Sequence, residues 1–281
     1  MKKIIMLVCV LLLTGCSAKF AYNNASWLVY WYIDDFVELN DQQEDQFDAL
    51  LGDWIDWHTS SELPKYEAHL SELIDDIRSR QIDVERIAYH REKGRQHWER
   101  ARAHVTPGMV SMAKTLSDDQ ITYFFAKLEK DNLEDEEDMQ ETRELKASER
   151  AKKWIKRNEK GAKRWIGRLN DEQTAHIAQY QDRFARTGNY WLDYKRSYQQ
   201  ALRETFAAGN RDEAFEQRLS ELILNPDTYR SDEFVAASDS NNLAGAEYLV
   251  GLFNLASDKQ LNSLIEEIED LREDVQSLQK K

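Results

Sequence analysis

Six histidines and 52 acidic residues supply most of the side chains here that could move a proton or hold a metal. His90, His97 and His104 recur every seven residues, which places them on one face of a helix. Seven residues of helix rise about 10 Å, so three such rings cannot converge on one ion. The stripe reads as a partly buried interface instead. Asp53, Asp56, His58 and Glu62 gather where two expected helices meet, and an imidazole oriented by a carboxylate could serve as a general base. His58 also continues the apolar stripe of Phe47, Leu51 and Trp54. A buried histidine satisfied by a neighbouring carboxylate explains it without catalysis, and that reading is preferred. Glycine-rich phosphate loops, His-Glu-x-x-His, Gly-x-Ser-x-Gly and Glu-x-x-His are all missing. No catalytic residue, metal ligand or cofactor is expected.

The elements that must position these residues are helices. Only three prolines and ten glycines punctuate 281 residues, and no segment alternates with a period of two. The expected fold is all-α, an irregular multi-helix bundle with one long, partly projecting charged helix or helix pair. Trp27 to Ile33 is almost wholly apolar and predicts a helix over 25–39. Two readings of it are open: a core helix, buried all round, or a segment resting at a bilayer interface. The acidity after it favours the core. A second helix carries Phe47, Leu50, Leu51, Trp54 and Ile55, and Leu63-Pro64 marks a turn and a new start. Residues 82–105 predict a helix closed by Thr106-Pro107-Gly108. Residues 227–241 are polar and read as a loop. Leu261, Leu264, Ile268, Leu271, Val275 and Leu278 form a heptad seam too short to favour dimerisation over packing on its own bundle. Residues 117–168 have no breaker and would span about 78 Å as one helix. Glu129 to Glu144 is acidic, the second half from Arg143 to Arg164 is basic, and the middle is expected to reach into solvent.

One pattern recurs four times: Leu39-Asn-Asp-Gln-Gln43, Leu116-Ser-Asp-Asp-Gln120, Leu169-Asn-Asp-Glu-Gln173 and Ala256-Ser-Asp-Lys-Gln260. Asn or Ser followed three residues later by Gln is a capping box. The copies lie 77, 53 and 87 residues apart, which suits recurring helix starts better than a regular solenoid.

The chain begins with Lys2 and Lys3, then an apolar run from Ile4 to Leu13, the layout of a secretory signal peptide over residues 1–15. Leu13-Thr14-Gly15-Cys16 resembles the lipobox of bacterial lipoproteins, which implies lipid, palmitate included, on Cys16 and a mature chain from there. Ser17 after it implies sorting to the outer membrane, periplasmic face. Residues 16–24 would be a spacer and 25–281 a single helical periplasmic domain. Without Lys2 and Lys3 the 38 basic residues fall to 36 against 52 acidic, a net −16, which argues against nucleic acid. Cys9 and Cys16 are the two cysteines, so the mature chain would have no disulfide.

Three stretches resemble a family of proteobacterial lipoproteins of unknown function. They are Tyr22-Asn23-Asn24 with Trp27 to Asp35, Trp57-His58 with Glu62-Leu63-Pro64-Lys65-Tyr66, and Trp165 to Gln173. The family brings no activity, and Thr59 stands where it often has Arg. The capping boxes are also similar to the Leu-Thr-x-x-Gln motif of small periplasmic stress chaperones, with Asn or Ser in place of Thr. The leading expectation is a non-catalytic scaffold or adaptor that binds protein partners, held to the membrane through Cys16. The alternatives are a chaperone-like holder of unfolded envelope proteins, and a hydrolase or lipid-handling enzyme using His58.

Overall fold

Four helix starts organise the chain. In the computed structural model, which describes Tyr22 and residues 24–279, Asn40, Ser117, Asn170 and Ser257 each close a capping box with the glutamine three residues on. The cap oxygen accepts the glutamine N–H, and the glutamine amide oxygen accepts that of the cap. The helices are α1 (Ala25–Ile33), α2 (Asp41–Trp57), α3 (Leu63–Arg78), α4 (Val84–Thr115), α5 (Asp118–Glu144), α6 (Ala147–Ile166), α7 (Asp171–Gln179), α8 (Gly188–Ala207), α9 (Glu213–Leu224), α10 (Asp232–Asn254) and α11 (Asp258–Gln279). There is no strand among the described residues, and the fold is all-α. Cys16 and the lipobox lie outside the described residues.

The boxes also meet each other. Gln120 Nε2 donates to Gln43 Oε1 at 2.8 Å and Gln43 Nε2 to Gln120 Oε1 at 3.2 Å. Gln173 and Gln260 repeat this at 3.1 and 2.9 Å. Each amide also donates to the carbonyl two residues before its partner's cap: Thr115, Glu38, Leu255 and Arg168. The first box therefore pairs with the second and the third with the fourth, each pair related by an approximate two-fold exchange. Gln43, Gln173 and Gln260 are buried, and a buried amide left without partners costs about 1–3 kcal/mol, so these bonds help specify the pairing.

Apolar packing falls into three clusters. Ile74 and Ile77 of α3 pack with Phe253, Leu261, Ile265 and Ile268, so the heptad seam of α11 lies on its own bundle. Val110, Phe125, Leu202, Phe206, Phe215, Leu219 and Leu222 join α4, α5, α8 and α9. Ile177, Tyr248 and Leu252 lie beneath Trp154 and Leu169.

Several local expectations are corrected. The core-helix reading of the first aromatic segment fails: α1 ends at Ile33, has no buried residue, and leaves Trp27 63% and Trp31 47% exposed. It is held to the body in part by Tyr30, which packs edge-on against Phe47 and donates to Asp48. No break separates α2 from α3; a π-turn, His58–Glu62, carries the chain between them, and Pro64, which has no N–H to give, sits just past it in the first turn of α3. Helix α4 runs through Pro107 to Thr115. An interior proline costs about 3 kcal/mol. Burial of Thr106 and Val110 opposes that cost, and Gly108 admits Leu50 where a Cβ would lie 2.8 Å from its Cδ2. The polar stretch 227–241 is mostly helix, because Ser231 caps α10 and Phe234 is buried three residues later. Residues 117–168 form a helix pair bent at Leu145-Lys146, and exposure concentrates at the bend. The acidic stretch before the bend docks on α8: Asp135 meets Lys195 at 2.5 Å, Glu129 and Glu136 bracket Arg196, and buried Asn132 bonds Gln199.

Candidate functional site

Between α3 and α4 lies a chain of hydrogen-bonded imidazoles. The spacing of seven on α4 points His90 and His97 at α3, where His69 stands between them. His97 Nε2 is 3.2 Å from His69 Nδ1, and His69 Nε2 is 3.0 Å from His90 Nδ1. His90 Nε2 is 2.9 Å from Asp76 Oδ2, which Arg86 pairs. At the other end Arg100 Nη2 is 2.6 Å from His97 Nδ1. The rings stack, His69 on His90 with centroids 5.2 Å apart and on His97 at 5.3 Å.

The two ends assign the protons. A guanidinium only donates, and Asp76, ion-paired with Arg86, accepts. His97 Nδ1 must therefore accept from Arg100, and every link then runs one way: Arg100 to His97 to His69 to His90 to Asp76. Three neutral rings, each protonated at Nε2, satisfy all four gaps. Burial, reinforced by repulsion from His90 and His97, pulls the His69 pKa down to about 4. Burial also lowers His97, against the pull of Glu62. Both rings are neutral at pH 7.

Glu62 anchors the arginine end. The π-turn delivers its side chain inward at 0% exposure, and such turns often mark functional sites. Burial alone would push its carboxyl up. Hydrogen bonds from Arg100 and Lys65 overcome that and hold it at about 2. Arg100 grips it twice, Nε to Oε1 at 2.8 Å and Nη2 to Oε2 at 3.0 Å. Glu62 Oε2 also lies 3.4 Å from His97 Nδ1, placed to accept should that nitrogen gain a proton. Beyond Asp76, Glu72 collects Lys93, Tyr89 and Arg86 and is likewise held at about 2.

The four residues proposed around a general base are not brought together. His58 Nδ1 faces the Tyr22 hydroxyl and Nε2 the Tyr66 hydroxyl, both at 3.3 Å, with Trp54 stacked on the ring. Burial lowers its pKa despite Glu62 nearby. Asp56 is exposed, and Asp53 bonds His104 at 3.1 Å instead. His104, third of the heptad stripe, stacks flat on Trp57 at 4.1 Å and stands apart from the other two. The stripe does line an interface inside the molecule, as its spacing implies. No group of three or more metal-ligating side chains is found among the described residues. His69, Tyr66, Asp76, Glu72 and Arg100 were not foreseen. For the first four the signal was a second stripe, from Glu62 in the π-turn through Tyr66, His69, Glu72 and Asp76 of α3, stepping at three or four.

A surface feature lies where α4, α8 and the turn before α10 meet. Arg230 sits over the rings of Phe234, Tyr194 and Trp191 at 5.2, 5.7 and 5.8 Å. Arg102 of α4 lies over Trp98 at 5.7 Å and donates to the Leu224 carbonyl at 3.1 Å, which links the two helices. Trp98 is 61% exposed, Trp191 39% and Leu224 38%. A shallow depression of about 380 Å³ on α8 is lined by Glu129, Arg196 and Arg203.

Neither a curated protein nor a solved structure matches the chain. The model of a family of unknown function, DUF6279, matches residues 35–235, a span that contains the whole imidazole chain and three of the four capping boxes. With that match covering more than half its length, the chain belongs to this family of unknown function.

Proposed function

We propose that the protein is a non-catalytic adaptor of the bacterial envelope, held by lipid on Cys16 at the periplasmic face of the outer membrane and docking a protein partner where α4, α8 and the turn before α10 meet. The aromatic and arginine surface of Trp98, Trp191, Tyr194 and Arg230 carries the reading. Trp, Tyr and Arg are the residues that dominate binding energy at protein interfaces. Here the cations lie over ring faces, so the rings are held in place before a partner arrives. A segment offering apolar side chains and a carboxylate suits this surface, since Arg102 borders it, while Arg230 is paired with Asp227 at 3.0 Å and holds the rings.

The imidazole chain fits the same reading. Each of His69, His90 and His97 has both ring nitrogens engaged, and His58 is held between two phenols. These rings brace α3 against α4 and offer no ready base. The competing reading, a holder of unfolded proteins, draws on the capping boxes and on large apolar residues exposed singly on several helices, among them Tyr123, Leu133 and Leu243.

Photocrosslinking in cells separates them. Probes replace Trp98 and Trp191, with Glu141 at the exposed bend as control. One or two sharp adducts from the tryptophan positions alone support the adaptor. A smear from all three positions favours the holder, and no adduct at any of them counts against both.

A further inference from the structure

The aromatic segment after the spacer is sorted by residue type. Tyr30 packs on Phe47 and donates to Asp48, and Phe36 meets Phe124 at 6.3 Å, so these rings face the body. Ser26, Trp27, Trp31 and Asp34 are exposed. Trp27 and Trp31 lie four residues apart, one above the other on a helix face, and at 63% and 47% exposure they present two indoles outward. An indole joins a broad apolar ring to one N–H donor, which suits the boundary between acyl chains and water. From Cys16 to Tyr22, whose hydroxyl bonds Thr59 on the body, is six residues, a span of at most about 20 Å.

We propose that Trp27 and Trp31 seat α1 in the headgroup region of the bilayer that anchors Cys16, making a second, non-covalent membrane contact. This rests on the lipid-anchor reading. Helix α1 is nine residues long, and no helix among the described residues is long and apolar enough to cross a membrane. The contact is therefore shallow. It is also not electrostatic: α1 carries no cation, and Asp34, Asp35 and Glu38 follow at once. Zwitterionic lipid suffices, and anionic lipid does not strengthen it. The seat fixes orientation. A lipid on Cys16 alone is one point of attachment and leaves the body's orientation unset, whereas that anchor plus two indoles holds α1 against the surface and turns the rest of the molecule away from it.

The test uses the full chain, expressed with its leader, purified from membranes and reconstituted in phosphatidylcholine vesicles. Intact mass first reports whether the chain begins at Cys16 with acyl groups, which examines the anchor alone. Tryptophan fluorescence is then read with lipids brominated at a shallow or a deep acyl position. The expected result is quenching stronger from the shallow bromine, insensitive to salt, and abolished in the Trp27→Phe/Trp31→Phe variant, whose helix content is unchanged. An acylated chain that is not quenched, or is quenched equally in the variant, overturns the seat and leaves the anchor standing. A chain without acyl groups overturns both.

Discussion

His69 has no nitrogen to spare. It accepts from one ring and donates to another, so adding a proton forces a like-charged approach somewhere along the chain. Its folded pKa of about 4 lies below the ordinary 6.5. Above pH 6.5 the native and unfolded chains are both neutral there, and the full stability is present. Between pH 6.5 and 4 the unfolded chain takes a proton that the native array refuses, so stability falls, by about 3 kcal/mol at most. Glu62 takes over lower down, because its carboxyl at about 2 loses its contribution as pH drops from 4.5. Urea unfolding from pH 7.5 to 4.5 is expected to show this slope in the natural chain and a clearly smaller one in His69→Gln. An unchanged slope would place the proton uptake elsewhere. The α4 half of this array was legible, because identical residues at a spacing of seven stand out. The α3 half was hidden, because four different residue types share one stripe and only their partners show that they act together. His58 misled for a related reason: Asp53 and Asp56 are near it in sequence but leave on other faces of α2.

At the scale of elements, the capping boxes do more than start helices. Their glutamines turn four local signals into two long-range contacts. Gln173→Ala and Gln260→Ala are each expected to cost about 1–3 kcal/mol, since each strands a buried amide and a carbonyl. The double variant should cost less than the sum, with a coupling of about 0.5–3 kcal/mol by urea unfolding. Strict additivity would mean that the amides merely cap. Sequence reading located all four boxes because capping is local physics. Which box meets which depends on tertiary packing, and two similar separations, 77 and 87 residues, were the only trace. Pro107 and the polar start of α10 show the opposite case, in which local helix-breaking signals yield to burial of Val110 and Phe234. The charged pair α5 and α6 was legible as helix from composition, while its docking on α8 needed the cations of Lys195 and Arg196, 60 residues away.

At the scale of the molecule, three separate clusters mean that no single core holds every helix, and α11 is the element that joins the last part of the chain to α3. Ile268→Ala, deep in that contact, is expected to cost about 2–5 kcal/mol. Hydrogen exchange should rise together in 63–78 and 258–279 and much less in 188–224, which belongs to another cluster. A uniform rise would mean one cooperative core.

The glutamine pairs have a consequence for the order of folding. Each one draws shut the neck of a loop of roughly 80 residues, at an entropic cost on the order of 4 kcal/mol. A chain emerging N-terminus first can knot the first neck, Gln43 to Gln120, before the residues of the second have been made. That early loop holds α3 with Ile74 and Ile77 still uncovered, since their partners Leu261 and Ile265 come from the final helix. Until residues 258–279 arrive, the nascent protein carries a sticky face, and the interval in which it can aggregate closes only once they are made.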